Sequence, residues 1–157
     1  KDAVVASMLI CEMAAYYKSQ GKTLIDVMNG LYDEFGYYCN TVQSYTFEGA
    51  AGMEKMAAIM DGLRDNKPSS FAGYEVTKID DYKTSKSTIV KTGEESEITL
   101  PKSNVLAYTL TNGNKVIVRP SGTEPKIKAY ITAIGQSEEN AKEIAQRLLN
   151  DANELMK

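Results

Sequence analysis

Arg119-Pro120-Ser121-Gly122-Thr123-Glu124-Pro125-Lys126 is the stretch of this 157-residue chain whose residue types suit one chemistry, the capture of an anion. Arg119 offers a planar fork of N–H donors that matches phosphate geometry. Ser121 and Thr123 add hydroxyl donors. Gly122 permits close backbone approach and conformations that aim N–H groups at one point. Pro120 and Pro125 stiffen both ends, so less order must be imposed on binding. Lys126 and Lys128 follow on one face of the next strand. Glu124 suits fixing the loop, because a carboxylate in contact with the anion would repel it. The alternative reading of the same residues is a rigid loop between strands that happens to carry a surface arginine.

Charge distribution favours the anion reading. The chain carries 18 basic and 21 acidic residues, net −3. Residues 101–135 hold 5 basic and 1 acidic group, net +4, whereas the segments on either side are all net negative. A local positive field raises anion occupancy at that surface. Other chemistries are removed by composition. Histidine is absent, so neither a Ser-His-Asp nor a Cys-His system exists within the chain. Two cysteines without histidine do not make a four-ligand zinc site. We assign no catalytic residue and no metal ligand. A weakly acidic chain with scattered tyrosines and no aromatic RNA-binding signature is a poor nucleic-acid binder. The most apolar run, Ala3 to Ala15, contains Glu12 and is too short to span a membrane. Cys11 and Cys39 form no framework, which favours a reducing cytoplasm. The chain opens without Met and without a basic-then-apolar signal segment, and it reads as a piece of a longer protein.

A hydrophobic share of 43% is enough to build a core around that loop. Asp2 to about Ser19 reads as a helix ended by Gly21; its small polar face predicts packing against something larger. Thr23 suits an N-cap, with Asp26 three residues on, and Leu24, Val27, Met28, Leu31 and Phe35 form a second helical stripe closed by Gly36. Tyr37 to Phe47 has strand composition. Met53, Met56, Ala57, Met60 and Leu63 repeat at helical spacing, a methionine stripe that reads as core packing. Lys67-Pro68-Ser69-Ser70 breaks the chain, and Tyr74 to Tyr82 reads as a strand. Residues 83–103 are polar and predict a long loop or an extra hairpin. Val105–Leu110, Asn112-Gly113 and Lys115–Val118 predict a hairpin with a type I′ turn. Lys126 to Ile134 alternates Ile127, Ala129, Ile131 and Ala133 against Lys126, Lys128, Tyr130 and Thr132. Ser137 caps a last helix with Glu138 and Glu139 in its first turn and a stripe through Ala141, Ile144, Ala145, Leu148, Leu149, Ala152, Leu155 and Met156.

This order predicts an α+β fold: an antiparallel sheet of about four strands with two helices on one face, preceded by two helices. Residues 1–36 read mostly as the end of a preceding domain plus its linker, and 37–157 as the sheet-and-helix domain.

Arg-Pro-Ser-Gly-Thr-Glu-Pro-Lys-Ile-Lys, residues 119–128, resembles the phosphate-binding loop in the C-terminal domain of the α-D-phosphohexomutases. Lys1-Asp2-Ala3-Val4-Val5-Ala6-Ser7 and Glu12-Met13-Ala14-Ala15 resemble the helix that closes the third domain of the phosphoglucomutase/phosphomannomutase branch. Thr23-Leu24 through Gly36-Tyr37-Tyr38 resembles the segment leading into the fourth domain. The resemblance spans essentially the whole chain and is weakest at residues 75–103. It implies the helical end of a preceding α/β domain plus its linker for residues 1–36, and a C-terminal phosphate-binding domain for 37–157.

The resemblance implies an enzyme that moves a phosphoryl group between C1 and C6 of a hexose phosphate, with glucose as the preferred sugar. It also implies that most of the machinery lies upstream. In the family, a first-domain phosphoserine donates the phosphoryl group, a second-domain aspartate loop holds Mg²⁺, and a third-domain loop reads sugar hydroxyls. The fourth-domain loop holds the phosphate that is not being transferred. Carried over, that role falls to Arg119, Ser121, Gly122 and Thr123, with Lys128 as a variable distal basic position. Mg²⁺ is expected in the full-length parent and no cofactor in this chain; the implied partners are a hexose phosphate and the upstream domains.

The departures fit that division. No Thr-Ala-Ser-His-Asn-Pro-like serine loop occurs, and Asp80-Asp81 lacks the Asp-x-Asp-x-Asp spacing. Gly93-Glu94-Glu95-Ser96 copies the sugar loop in letters, but it lies inside the polar insertion of the C-terminal domain and reads as an exposed loop. The chain alone is therefore expected to be inactive. A reading from another class is a stand-alone anion- or peptide-binding module without enzymatic activity.

Overall fold

Apolar alternation in three neighbouring strands and apolar stripes on two helices generate the core of this protein, seen in a computed structural model that describes residues 2–49 and 51–156. Lys1, where the family resemblance begins, lies outside the described residues. The chain divides into two compact units, residues 1–37 and 38–157.

The first unit contains α1 (Ala3–Ser19) and α2 (Leu24–Phe35). Asp2 caps α1, its carboxylate accepting the Val5 N–H at 3.0 Å. The helix stops where Gly21 takes φ +73°, which lets the Lys22 N–H reach Tyr17 O and the Gly21 N–H reach Lys18 O. Thr23 and Asp26 form the reciprocal cap that their spacing predicts: the Asp26 N–H donates to Thr23 Oγ1 at 3.2 Å and the Thr23 N–H to Asp26 Oδ2 at 2.8 Å. The Thr23 hydroxyl and N–H hold the Asp26 carboxyl below the ordinary range. Tyr32 and Tyr37 stack with ring centroids 5.1 Å apart. None of the described residues of either helix is buried, although α1 carries Val4, Val5, Met8, Leu9 and Ile10. The covering expected for α1 is therefore not provided within the described residues.

The second unit carries most of β1 (Tyr37–Thr46), then α3 (Gly52–Asp65), β2 (Ser70–Phe71), β3 (Tyr74–Asp81), β4 (Lys86–Ile89), β5 (Glu95–Glu97), β6 (Leu106–Leu110), β7 (Lys115–Pro120), β8 (Lys126–Gly135) and α4 (Glu138–Leu155). The sheet runs β1-β8-β7-β6-β3-β4-β5, with β2 paired to β3. In β8 the residues Ile127, Ala129, Ile131 and Ala133 are buried, as its alternation predicts. Register places Ala129 beside Val118 and Val118 beside Leu106, then Ile131 beside Val116 and Val116 beside Tyr108. These rows share one face, and both helices close over it. Met56, Met60 and Leu63 of α3 and Ile144, Ala145 and Leu148 of α4 join one core cluster with them. The methionine stripe is core, although Met53 at its start stays exposed.

The α+β class and the two helices on one face hold. The strand count does not: among the described residues eight strands form rather than about four. Two of the additional strands come from the polar segment, where β4 and β5 pair at the sheet edge through Lys86–Glu97, Ser87–Ser96 and Thr88–Glu95. These strands bury no residue, so no apolar alternation announces them. The β6–β7 turn also differs from expectation. A type I′ turn needs positive φ at both central residues, and here Gly113 has φ +83° while Asn112 does not take positive φ. Leu110 accepts the Gly113 N–H and its own N–H donates to Asn114 O, both at 2.9 Å. Thr111 is thus part of a three-residue loop, with glycine at its left-handed position.

Candidate anion-binding site

The loop between β7 and β8 is built from backbone outward. Ser121 organises it. Its N–H donates to Lys126 O at 2.7 Å, closing the loop neck. Its hydroxyl oxygen accepts the Thr123 N–H at 3.4 Å and the Glu124 N–H at 3.3 Å, a local side-chain turn. Because that oxygen accepts, its proton stays available to a ligand. The rear of the loop is anchored from outside: the Phe47 N–H donates to Pro125 O at 2.9 Å. Gly52, at the start of α3, sits so close that a Cβ there would strike the Phe47 carbonyl and approach Pro125 Cβ at 3.1 Å. The end of β1 and the start of α3 thus brace the loop, a support that loop composition alone does not announce.

All five residues singled out in the sequence, Arg119, Ser121, Gly122, Thr123 and Lys128, line one open hollow of about 260 Å³, joined by Pro120 and Tyr130. Arg119 and Lys128 are register partners across β7 and β8, on the face opposite the helices. Like charges in that position repel when left alone. Among the described residues neither makes an ion pair, and an anion between them would relieve the repulsion. The Gly122 N–H and the Thr123 hydroxyl also have no hydrogen-bond partner among the described residues.

Gly122 does not take positive φ, and a Cβ added there would meet open space. Its value to the loop is an open N–H rather than a special conformation. Lys126 shares the strand face of Lys128 but does not line the hollow; its Nζ lies 3.2 Å from Glu124 Oε2. Glu124 thereby neutralises a lysine beside the loop. Tyr130 was the residue missed, although the strand alternation that selects Lys128 selects it too.

The other charged motifs are self-satisfied. Gly93 and Glu94 sit in the turn joining β4 and β5, and Glu95 Oε2 lies 2.7 Å from Lys86 Nζ. Lys86 holds the Glu95 carboxyl below the ordinary range by hydrogen bond and charge. Asp81 binds Arg64 Nε at 3.2 Å, and Asp80 binds Lys78 Nζ at 2.9 Å. Among the described residues no group of three or more His, Cys, Asp or Glu side chains is placed to hold a metal ion. No helix among them is long and apolar enough to cross a membrane.

Comparison with known proteins gives this geometry a family. Residues 54–151 match the model of the phosphoglucomutase/phosphomannomutase C-terminal domain. The chain is 35% identical over 150 residues to a phosphoglucomutase of Staphylococcus haemolyticus, covering 96% of this chain and 27% of that protein. It is 41% identical over 132 residues to one of Staphylococcus aureus, covering 84% and 24%. It spans about a quarter of the length of these curated relatives. Its fold is similar to part of the open-form crystal structure of pp63/parafusin, a phosphoglucomutase from Paramecium. That match has TM-score 0.61 at 17% identity, covering 99% of this chain and 27% of the other. The braced loop, the one-sided helices and these matches converge: this chain belongs to the phosphoglucomutase/phosphomannomutase family, and its residues 54–151 correspond to the C-terminal domain.

Proposed function

We propose that residues 119–123 and Lys128 capture the non-transferring phosphate of a hexose phosphate, and that the chain serves as the C-terminal portion of a phosphohexomutase. The observation that carries this reading is the pair of in-register cations, Arg119 and Lys128, facing one hollow without a carboxylate partner among the described residues. Arg119 supplies charge-assisted bonds to phosphate oxygens, and the Gly122 N–H and the hydroxyls of Ser121 and Thr123 complete the cradle. The brace at Pro125 keeps those donors in place before the ligand arrives.

The domain's contribution to transfer is positioning. Holding one phosphate fixes which end of the sugar faces the reacting centre, and positioning of that kind supplies a large share of such catalysis. The phosphoserine and the Mg²⁺ site belong to other parts of the longer enzyme, and residues 1–36 belong to its preceding domain. Glucose phosphate is the preferred substrate. A cytoplasmic setting suits such a substrate and the two free cysteines.

One titration tests the reading. Glucose 1-phosphate added to the chain shifts the amide signals of residues 119–123 and 128 with a dissociation constant near 1 mM, about −4 kcal/mol. No glucose 6-phosphate forms in the same tube. Arg119→Ala weakens the response by tens of fold, since a charge-assisted bond is worth about 1.5–3 kcal/mol. Silence of the loop overturns the phosphate assignment, and turnover overturns the division of labour.

A further inference from the structure

Tyr130 stands one register step inward from the Arg119–Lys128 pair, on the same sheet face. Its register partner is Ile117, half-buried, so the two make an apolar floor beside the cationic row. The Tyr130 side chain is 37% exposed, lines the hollow, and its hydroxyl has no hydrogen-bond partner among the described residues. The hollow of about 260 Å³ is larger than four phosphate oxygens fill, a water's share of liquid volume being about 30 Å³. Residues two apart along a strand are separated by about 7 Å. That distance carries a ligand from its phosphate, held at Lys128, to its carbon ring.

We infer that Tyr130 is a platform for the ring of the phosphorylated sugar, so that this domain reads part of the sugar as well as its phosphate. The C–H face of a pyranose packs on the aromatic face, and the free phenol meets a ring hydroxyl. Aromatic side chains give ligand pockets area and orientation at small cost in rotamer freedom. The inference rests on the phosphate reading above. It adds a specificity element that a purely electrostatic loop lacks, because a cation pair grips inorganic phosphate and a sugar phosphate alike.

The test compares inorganic phosphate with glucose 6-phosphate at pH 7 on the same chain, followed by NMR of residues 119–130. The expected result is about fivefold tighter binding of glucose 6-phosphate, with ligand ring protons shifted upfield by the tyrosine ring. Tyr130→Leu removes the preference and leaves inorganic phosphate binding unchanged, while Tyr130→Phe keeps most of it. A wild-type chain that binds both ligands equally, or a preference that survives Tyr130→Leu, overturns the platform and leaves the phosphate site standing. Absence of any loop response to inorganic phosphate overturns both. The wild-type comparison and the conservative Phe variant decide the matter even if the Leu variant folds poorly.

Discussion

Two loops of the same sheet carry glycine, hydroxyls and charge, and they have opposite electrostatic fates. In the β4–β5 hairpin, Lys86 and Glu95 pair diagonally across adjacent strands, and the turn is closed by the Gly93 N–H to Ile89 O and the Ile89 N–H to Glu94 O, both 2.9 Å. In the β7–β8 loop, Glu124 is drawn to Lys126, leaving Arg119 and Lys128 opposite each other with no carboxylate partner among the described residues. The first loop is neutralised from within. The second is held in shape by Ser121 and by the Phe47–Pro125 bond, neither of which consumes a charge. The difference teaches that anion capture depends less on how many cations a loop contains than on whether its scaffold satisfies them.

The strongest way to break the contrast is to give the second loop what the first has. Lys128→Glu places a carboxylate directly opposite Arg119, giving that cation the cross-strand partner that Glu95 gives Lys86 on the diagonal. The expected outcome is loss of detectable phosphate binding by NMR, with the melting temperature unchanged within a few degrees, because exposed pairs contribute little. Retained binding would sink the idea that the unpaired cations matter. A smaller effect is expected from Ser121→Ala, which removes the acceptor of two loop N–H groups. Phosphate affinity should fall about tenfold by isothermal titration, a net hydrogen bond being worth about 1 kcal/mol with one ligand contact also lost. Hydrogen exchange at Thr123 and Glu124 should quicken. An unchanged exchange rate would show that the loop is shaped by its prolines alone.

The smallest effect lies in the first loop. Lys86 lowers the Glu95 pKa on folding, so the pair's contribution to stability is fully present above the ordinary carboxylate pKa. It is lost as pH falls through the lowered folded value. Carboxyl-detected NMR of Glu95 should give a midpoint below the ordinary range, returning toward it in Lys86→Met. A midpoint already ordinary in the wild-type chain would mean that the two side chains do not meet in solution.

Sequence reading succeeded where burial writes a period into the chain. The rows Ile127-Ala129-Ile131-Ala133 and Ala141-Ile144-Ala145-Leu148 pack where their spacing requires, and Thr23 and Asp26 cap as their types predict. It left two options open, a long loop or an extra hairpin, where strands bury nothing: Lys86–Ile89 and Glu95–Glu97 are held by backbone pairing, which leaves no trace in side-chain polarity. Asn112-Gly113 announced a turn but not its length, because glycine supplies positive φ equally well to a two- and a three-residue loop. At the candidate site, Arg119, Ser121, Gly122, Thr123 and Lys128 are legible from their donors, whereas Tyr130 is not singled out by the sequence. The roles of Ser121 as a turn acceptor and of Phe47 and Gly52 as a brace depend on contacts far apart in sequence, which no local pattern encodes.

Strand β8 shows core residues to the helices and Lys128 and Tyr130 to the opposite side, in strict alternation. Substitution and insertion therefore have unequal consequences for the history of such a domain. Exchanging Lys128 or Tyr130 alters only what the outer surface recognises, so new ligand preferences can be explored while the packed layer stays intact. Adding a single residue between Ile127 and Lys128 would exchange the two faces of everything beyond it, exposing Ile131 and driving a lysine inward. Lineages of this strand can drift freely in letters and hardly at all in length.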